Sequence, residues 1–207
     1  MTEDADIPQI YLISPSEVDL LTYPDILAAC LDAVPVACMR LALGTRDPAR
    51  LARTADALRV VTHARDVALV IDTHVGLVVP HGLDGVHLTD AARSVRAARK
   101  ELGDDAIVGT HCAASRHDGM TAGEMGADYV AFGPVGTTPL GDTAAAAPEL
   151  FEWWSQMIEV PVIAEGGLTE ETVRQFAPVV DFFGFGEELW RDEAPAQALA
   201  SLAAAAR

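Results

Sequence analysis

Between Arg116 and Arg174 the chain has no lysine or arginine. Basic residues are scarce throughout: 14 Lys plus Arg stand against 31 Asp plus Glu, a net charge of −17. A surface of that sign repels nucleic acid and anionic lipid and slows the approach of a polyphosphate. It points to a small-molecule ligand, with neither nucleic acid nor membrane as partner. Cysteine is also sparse. Cys30, Cys38 and Cys112 are odd in number and form no CxxC pair, which fits buried, reduced thiols in a cytoplasmic protein. No stretch approaches the ~20 apolar residues of a membrane helix. The opening "MTEDADIPQ" is too acidic for a signal peptide, and residues 1–8 read as a disordered tail. Aromatics are few, yet half of the 207 residues are hydrophobic, enough for one domain with a full core.

Apolar, β-branched runs recur along that length: "IYLIS" (10–14), "VACMRLAL" (36–43), "VALVID" (67–72), "GVHLT" (85–89), "AIVGTHC" (106–112), "ADYVAFGPV" (127–135), "VPVIAEG" (160–166) and "DFFGFG" (181–186). Near-continuous hydrophobicity is what strands covered on both faces require. Between several of them lie stretches with i, i+3, i+4 apolar spacing, such as "DPARLARTADALRVV" and "APELFEWWSQMIE". "TEETVRQF" opens on Thr169, a fitting N-cap, but with Thr172 at the third position it lacks the acid of a full capping box. Strand–helix units repeated eight times over this length predict an α/β fold, a single (β/α)8 TIM barrel spanning the chain.

Such barrels build their sites from loops at the C-terminal ends of the strands. The residues there are Arg40, Asp72, Asp90, His111, Glu165 with Gly166 and Gly167, Gly184, Gly186 and Glu187. Glycines after strands seven and eight let backbone N–H groups approach an anion, although tight barrel corners also need small residues. Strand alternation turns His111 inward if Gly109 faces inward. A histidine among carboxylates on separate strands suits acid–base chemistry or metal binding; singly, Asp72 or Glu187 reads better as a helix cap or rim charge. His63, His81 and His117 read as surface residues. His87, inside strand four, reads as a satisfied core histidine, and one or both of Trp153 and Trp154 as helix-to-barrel packing.

"GVHLTD" (85–90), "GADYVAFGPVGTT" (126–138) and "VPVIAEGGLTEETV" (160–173) resemble the thiamine-phosphate synthase and thiazole tautomerase family. The resemblance implies a site that joins a hydroxymethylpyrimidine diphosphate to a thiazole phosphate, releases pyrophosphate and uses magnesium. It assigns Arg40 and Thr138 to diphosphate, Asp72 to magnesium with Ile71 in place of the asparagine before it, and the glycines to phosphate; the second magnesium position falls on Ala92, with Asp90 two residues early as its stand-in. Several positions depart from it. The two lysines become Ala42 and Gly141, and a threonine becomes Leu140. A strand-five serine becomes His111, an apolar residue before the glycine pair becomes Glu165, and the serine after strand eight becomes Glu187. The tautomerase histidine has Pro134 in its place.

Like charges at about 4 Å repel by ~4 kcal/mol at a surface-like dielectric, so these exchanges weaken anion binding. The residues therefore favour a relative repurposed for another ligand, with His111, Glu165 and Arg40 as its chemistry. An active synthase and a non-catalytic scaffold are the alternatives. Small barrels commonly pair, so a homodimer is expected on general grounds alone.

Overall fold

The structure is a computed structural model and describes residues 7–137 and 145–207. Eight parallel strands close in sequence order: β1 (Gln9–Ile13), β2 (Cys38–Leu41), β3 (Ala68–Asp72), β4 (Gly85–Leu88), β5 (Ile107–His111), β6 (Tyr129–Phe132), β7 (Val162–Glu165) and β8 (Phe182–Phe185), with β8 returning to β1. This is the expected (β/α)8 barrel. Of the tail expected over 1–8, residues 1–6 lie outside the described residues, whereas Pro8 is buried and leads directly into β1.

The helices are α1 (Tyr23–Ala33), α2 (Pro48–His63), α3 (Val75–Val78), α4 (Val95–Leu102), α5 (Arg116–Glu124), α6 (Pro148–Met157), α7 (Glu170–Phe176), α8 (Glu187–Trp190) and α9 (Pro195–Ala205). Their start signals are local. Asp47 caps α2 by accepting from Ala49 N, with Pro48 in the first turn, and Ser115 caps α5 by accepting from Asp118 N. At α7 the expectation of an incomplete box is corrected. Thr169 Oγ1 accepts from Thr172 N at 3.2 Å and Thr172 Oγ1 accepts from Thr169 N at 2.7 Å, so a threonine hydroxyl does the work of the usual acid.

Alternation along each strand sorts side chains into two cores. Leu12, Met39, Leu69, Ile71, Val86, Val108, Val130, Phe132, Val162 and Phe183 face outward and pack under the helices. Against them lie Phe151 and Trp154 of α6, each worth about 1.5–3 kcal/mol in burial. Trp154 Nε1 donates to Val160 O at 2.7 Å, while Trp153 stays partly buried under Arg116. Facing inward are Tyr11, Cys38, Val70, Tyr129, Ala131 and Ile163, the filling of the barrel itself. Gly109 faces inward too, and a Cβ there would lie 1.9 Å from the Tyr129 ring. Only glycine leaves the tyrosine its place.

The N-terminal end of the barrel is closed by three aspartates, each one residue before an even strand. Asp84, Asp128 and Asp181 accept, through Oδ2, the backbone N–H of Leu69, Val108 and Val162 at 2.6, 2.7 and 2.7 Å. Each stitches the start of its own strand to the strand before it. Three cysteines are free and buried, as expected. Burial pushes the Cys30 thiol up to about 11 and those of Cys38 and Cys112 to about 12, so they are inert at neutral pH. Among the described residues no helix is long and apolar enough to cross a membrane.

Candidate active site

Period-two alternation that aims Cys38, Val70 and Ile163 inward also aims the next inward residue of each strand: Arg40, Asp72 and Glu165. His111 follows Gly109 on β5 by the same rule, as expected from the sequence. These four side chains meet at the C-terminal mouth. Arg40 Nε donates to Asp72 Oδ1 at 2.6 Å and Nη2 to Asp72 Oδ2 at 3.3 Å, a bidentate grip. Its third donor, Nη1, reaches across the barrel to Glu165 Oε2 at 3.0 Å. The other Glu165 oxygen lies 2.9 Å from His111 Nδ1. That last contact is close but off the axis of a well-formed hydrogen bond, and the buried Nδ1 has no aligned partner.

Arg40 is buried, and its charge survives because two carboxylates surround it. Burial alone would lower its pKa, but Glu165 and Asp72 raise it. For Glu165, burial favours the neutral acid, yet Arg40 and His111 outweigh it and hold the carboxyl well below the ordinary range. Asp72 moves the other way: burial raises it, opposed by Arg40. Beneath this ionic layer lies a neutral one. Tyr11 and Tyr129 share a hydroxyl contact of 2.7 Å, and Tyr129 Oη lies 2.9 Å from His87 Nδ1. Burial keeps both phenols protonated and pushes His87 well below its usual value, so it is uncharged. The expectation of a satisfied core histidine therefore holds at Nδ1 only, since His87 Nε2 is buried with no partner. His63 and His81 lie outside and pair with Asp84 and Asp56; His117 is exposed.

The glycines divide by role. Gly166 and Gly167 have φ of 85° and 73°, and a Cβ on Gly167 would lie 2.8 Å from the Gly136 carbonyl carbon. This turn packs backbone to backbone on the loop after β6, where Val135 N and Gly136 N donate to Gly166 O at 3.0 Å. Gly184 is not a loop glycine. It faces inward within β8, and the place of its missing Cβ lies 3.1 Å from Glu165 Cβ and from Ile163 Cγ2, so its role is to admit Glu165. A Cβ built on Gly186 would make only ordinary contacts, with Ile13 Cβ at 3.7 Å and Glu188 Oε2 at 3.8 Å.

Glu187 does not face the mouth as expected. It is exposed, accepts from Ser16 N at 3.1 Å and lies 4.0 Å from Arg191. Its neighbour Glu188 turns inward instead, against the backbone N–H groups of Glu188, Gly186 and Leu168, with Oε1 buried and unpartnered. Burial raises its pKa despite those amides. Strand alternation fails here because β8 ends at Phe185 and α8 starts at Glu187, so the helical turn, not the pleat, sets the direction.

Asp90 follows β4, accepts from Ser94 Oγ at 2.6 Å through Oδ2, and keeps a buried, unpartnered Oδ1. Among the described residues no three histidine, cysteine or acidic side chains gather as a metal cluster. Magnesium, however, is commonly held by one or two carboxylates plus substrate phosphates. Asp90 Oδ1 and the spare lone pairs of Asp72 suit it as hard oxygen donors. Thr138, Leu140 and Gly141 lie outside the described residues.

A parallel (β/α)8 barrel thus carries a buried ionic cluster at its C-terminal mouth, the end at which barrels of this fold place their sites. Sequence comparison places it further. A family model described as thiamine monophosphate synthase matches residues 10–180. The chain is 42% identical over 197 residues to a thiamine-phosphate synthase of Rhodospirillum centenum, covering 93% of this chain and 94% of that one. It is 38% identical over 212 residues to one of Erythrobacter litoralis, covering 98% and 99%. A solved thiamine phosphate pyrophosphorylase from Pyrococcus furiosus shares the fold at 20% identity with a TM-score of 0.82, over 98% of this chain and 96% of that one. The chain belongs to the thiamine-phosphate synthase family.

Proposed function

We propose that this chain is an active thiamine-phosphate synthase, joining a hydroxymethylpyrimidine diphosphate to a thiazole phosphate with release of pyrophosphate. The repurposed barrel favoured by the residues alone gives way, because similarity to relatives of that name extends over nearly the whole chain. The observation that carries the reading is Arg40, a guanidinium kept charged and inward at the mouth by Asp72 and Glu165. Among the described residues Arg40 is the one buried Lys or Arg, and it stands at this mouth. A diphosphate oxygen competes with Asp72 or Glu165 for its N–H groups, exchanging one anion for another.

Asp72 and Asp90, ending adjacent strands, would hold magnesium, which when bound neutralises diphosphate charge. The turn Gly166–Gly167 and the amides about Gly186 offer N–H groups to the thiazole phosphate once Glu188 swings away. With one cation among three acids, the diphosphate should bind weakly, nearer millimolar than micromolar, the latter needing about 4 kcal/mol more. The test is product formation. The chain, both substrates and magnesium should yield thiamine phosphate and pyrophosphate in equal amounts, and chelation of magnesium should abolish both. No product at millimolar substrate would overturn the reading. A ligand of another class then becomes the better one, favoured by the Glu165–His111 contact.

A further inference from the structure

The two mouth residues that introduce ionisable groups where the family resemblance expects neutral ones, His111 and Glu165, are partners. They end β5 and β7, with β6 between them. Between them the inward residues at this level are Ala131 of β6, in register with His111, and Gly133 just past its end, whose missing Cβ would lie 3.1 Å from Glu165 Cγ. Small residues on the middle strand thus let side chains from the outer two touch. Gly184 clears the other side of Glu165. Glu165 divides its carboxylate, one oxygen to Arg40 and one to His111 Nδ1. The ring is 29% exposed while Nδ1 is fully buried, so the exposed edge is the one away from Nδ1, carrying Nε2.

A carboxylate beside one imidazole nitrogen orients the ring and leaves the other nitrogen to exchange a proton with a ligand. We propose that His111 is the general acid for departure of the diphosphate. The proposal rests on the coupling reaction above. The bond between the pyrimidine methylene carbon and the diphosphate oxygen breaks, and its electron pair leaves with that oxygen. The Nε2 proton of the His111 imidazolium passes to the departing diphosphate. The lone pair of the thiazole nitrogen forms the new C–N bond. His111 is left neutral, with its remaining proton on Nδ1 toward Glu165, and takes a new proton from solvent after product release. Anion release is thereby assisted in a mouth with little fixed positive charge. The charged and titratable groups facing His111 are Glu165 from β7, Arg40 from β2 beyond it, and neutral His87 from β4, while Ala131 of β6 and Gly133 past its end contribute none.

The experiment is the pH profile of kcat for magnesium-dependent coupling. Wild type should lose activity on the alkaline side in one deprotonation. His111→Asn should lower kcat on the order of a hundredfold, leave KM for the pyrimidine diphosphate nearly unchanged, lose the alkaline limb, and regain activity with added imidazole. Glu165→Gln, checked by thermal melting to be folded, should retain the limb but lower kcat with KM nearly unchanged, because an amide no longer orients the ring for proton transfer. If His111→Asn does not fold, the lowered kcat of Glu165→Gln decides. An active wild type whose variants keep kcat and the alkaline limb overturns the general acid while leaving the coupling reaction in place. A wild type that makes no product overturns both.

Discussion

Acids hold together both ends of this barrel, and they do so in different ways. At the N-terminal end Asp84, Asp128 and Asp181 each accept a backbone N–H from the preceding strand. The partner is part of the sheet and cannot leave, so these contacts serve closure. At the C-terminal end Asp72 and Glu165 accept from the side chain of Arg40, and Glu188 lies against loop amides with one oxygen unsatisfied. Those partners can be shared with a ligand. The same residue type is structural where its donor is backbone within a sheet, and available for chemistry where its donor can rotate or be competed for.

The sharpest way to break the contrast is Arg40→Met. It strands one buried and one half-buried carboxylate and should cost about 3–5 kcal/mol, read as a lowered urea midpoint, together with loss of coupling activity. Asp181→Ala at the opposite end frees only Val162 N–H and should cost about 1–3 kcal/mol, with kcat and KM of the folded enzyme unchanged. If its activity fell with its stability at temperatures where it is folded, the division between the two ends would be wrong.

The smallest effect separates the ionic layer from the neutral one beneath it. His87 has a depressed pKa in the folded state, so below about pH 6.5 the unfolded chain binds a proton that the native one refuses. Stability should therefore fall from pH 7 to pH 5 by at most ~1.4 kcal/mol per pH unit, and less steeply in His87→Gln. Glu165, depressed as well, contributes stability that is complete above the ordinary carboxylate range. That part is lost only as pH falls through its lower folded value, in a separate and more acidic window. One merged transition across both ranges would contradict the two-layer description.

Most of the barrel was legible from local pattern. All eight apolar runs became strands, because a strand covered on both faces must be apolar for most of its length. The two least visible helices, α3 and α5, are short or carry glycine within them, as in "VGLV" and "RHDGMTAGE", and their propensity signal is weak. At the site, position at the strand ends brought Arg40, Asp72 and Glu165 to the mouth, and alternation from Gly109 brought His111. Strand-end position misled at Glu187, where the pleat gives way to a helical turn and Glu188 turns inward instead, and the glycine reading credited Gly184 to phosphate when its space belongs to Glu165.

By itself the sequence determined the number of strands, their inward sets, the caps of several helices and the scarcity of cations, because each depends on spacing within a few residues or on counting. Only the tertiary structure decided the partners. Arg40 meets Asp72 from 32 residues away on the neighbouring strand and Glu165 from 125 residues away across the barrel. No local period contains the second contact. It follows from closure of β8 on β1, from the reach of a guanidinium, and from the small side chains at Ala131, Gly133 and Gly184 that leave Glu165 room to turn toward both Arg40 and His111.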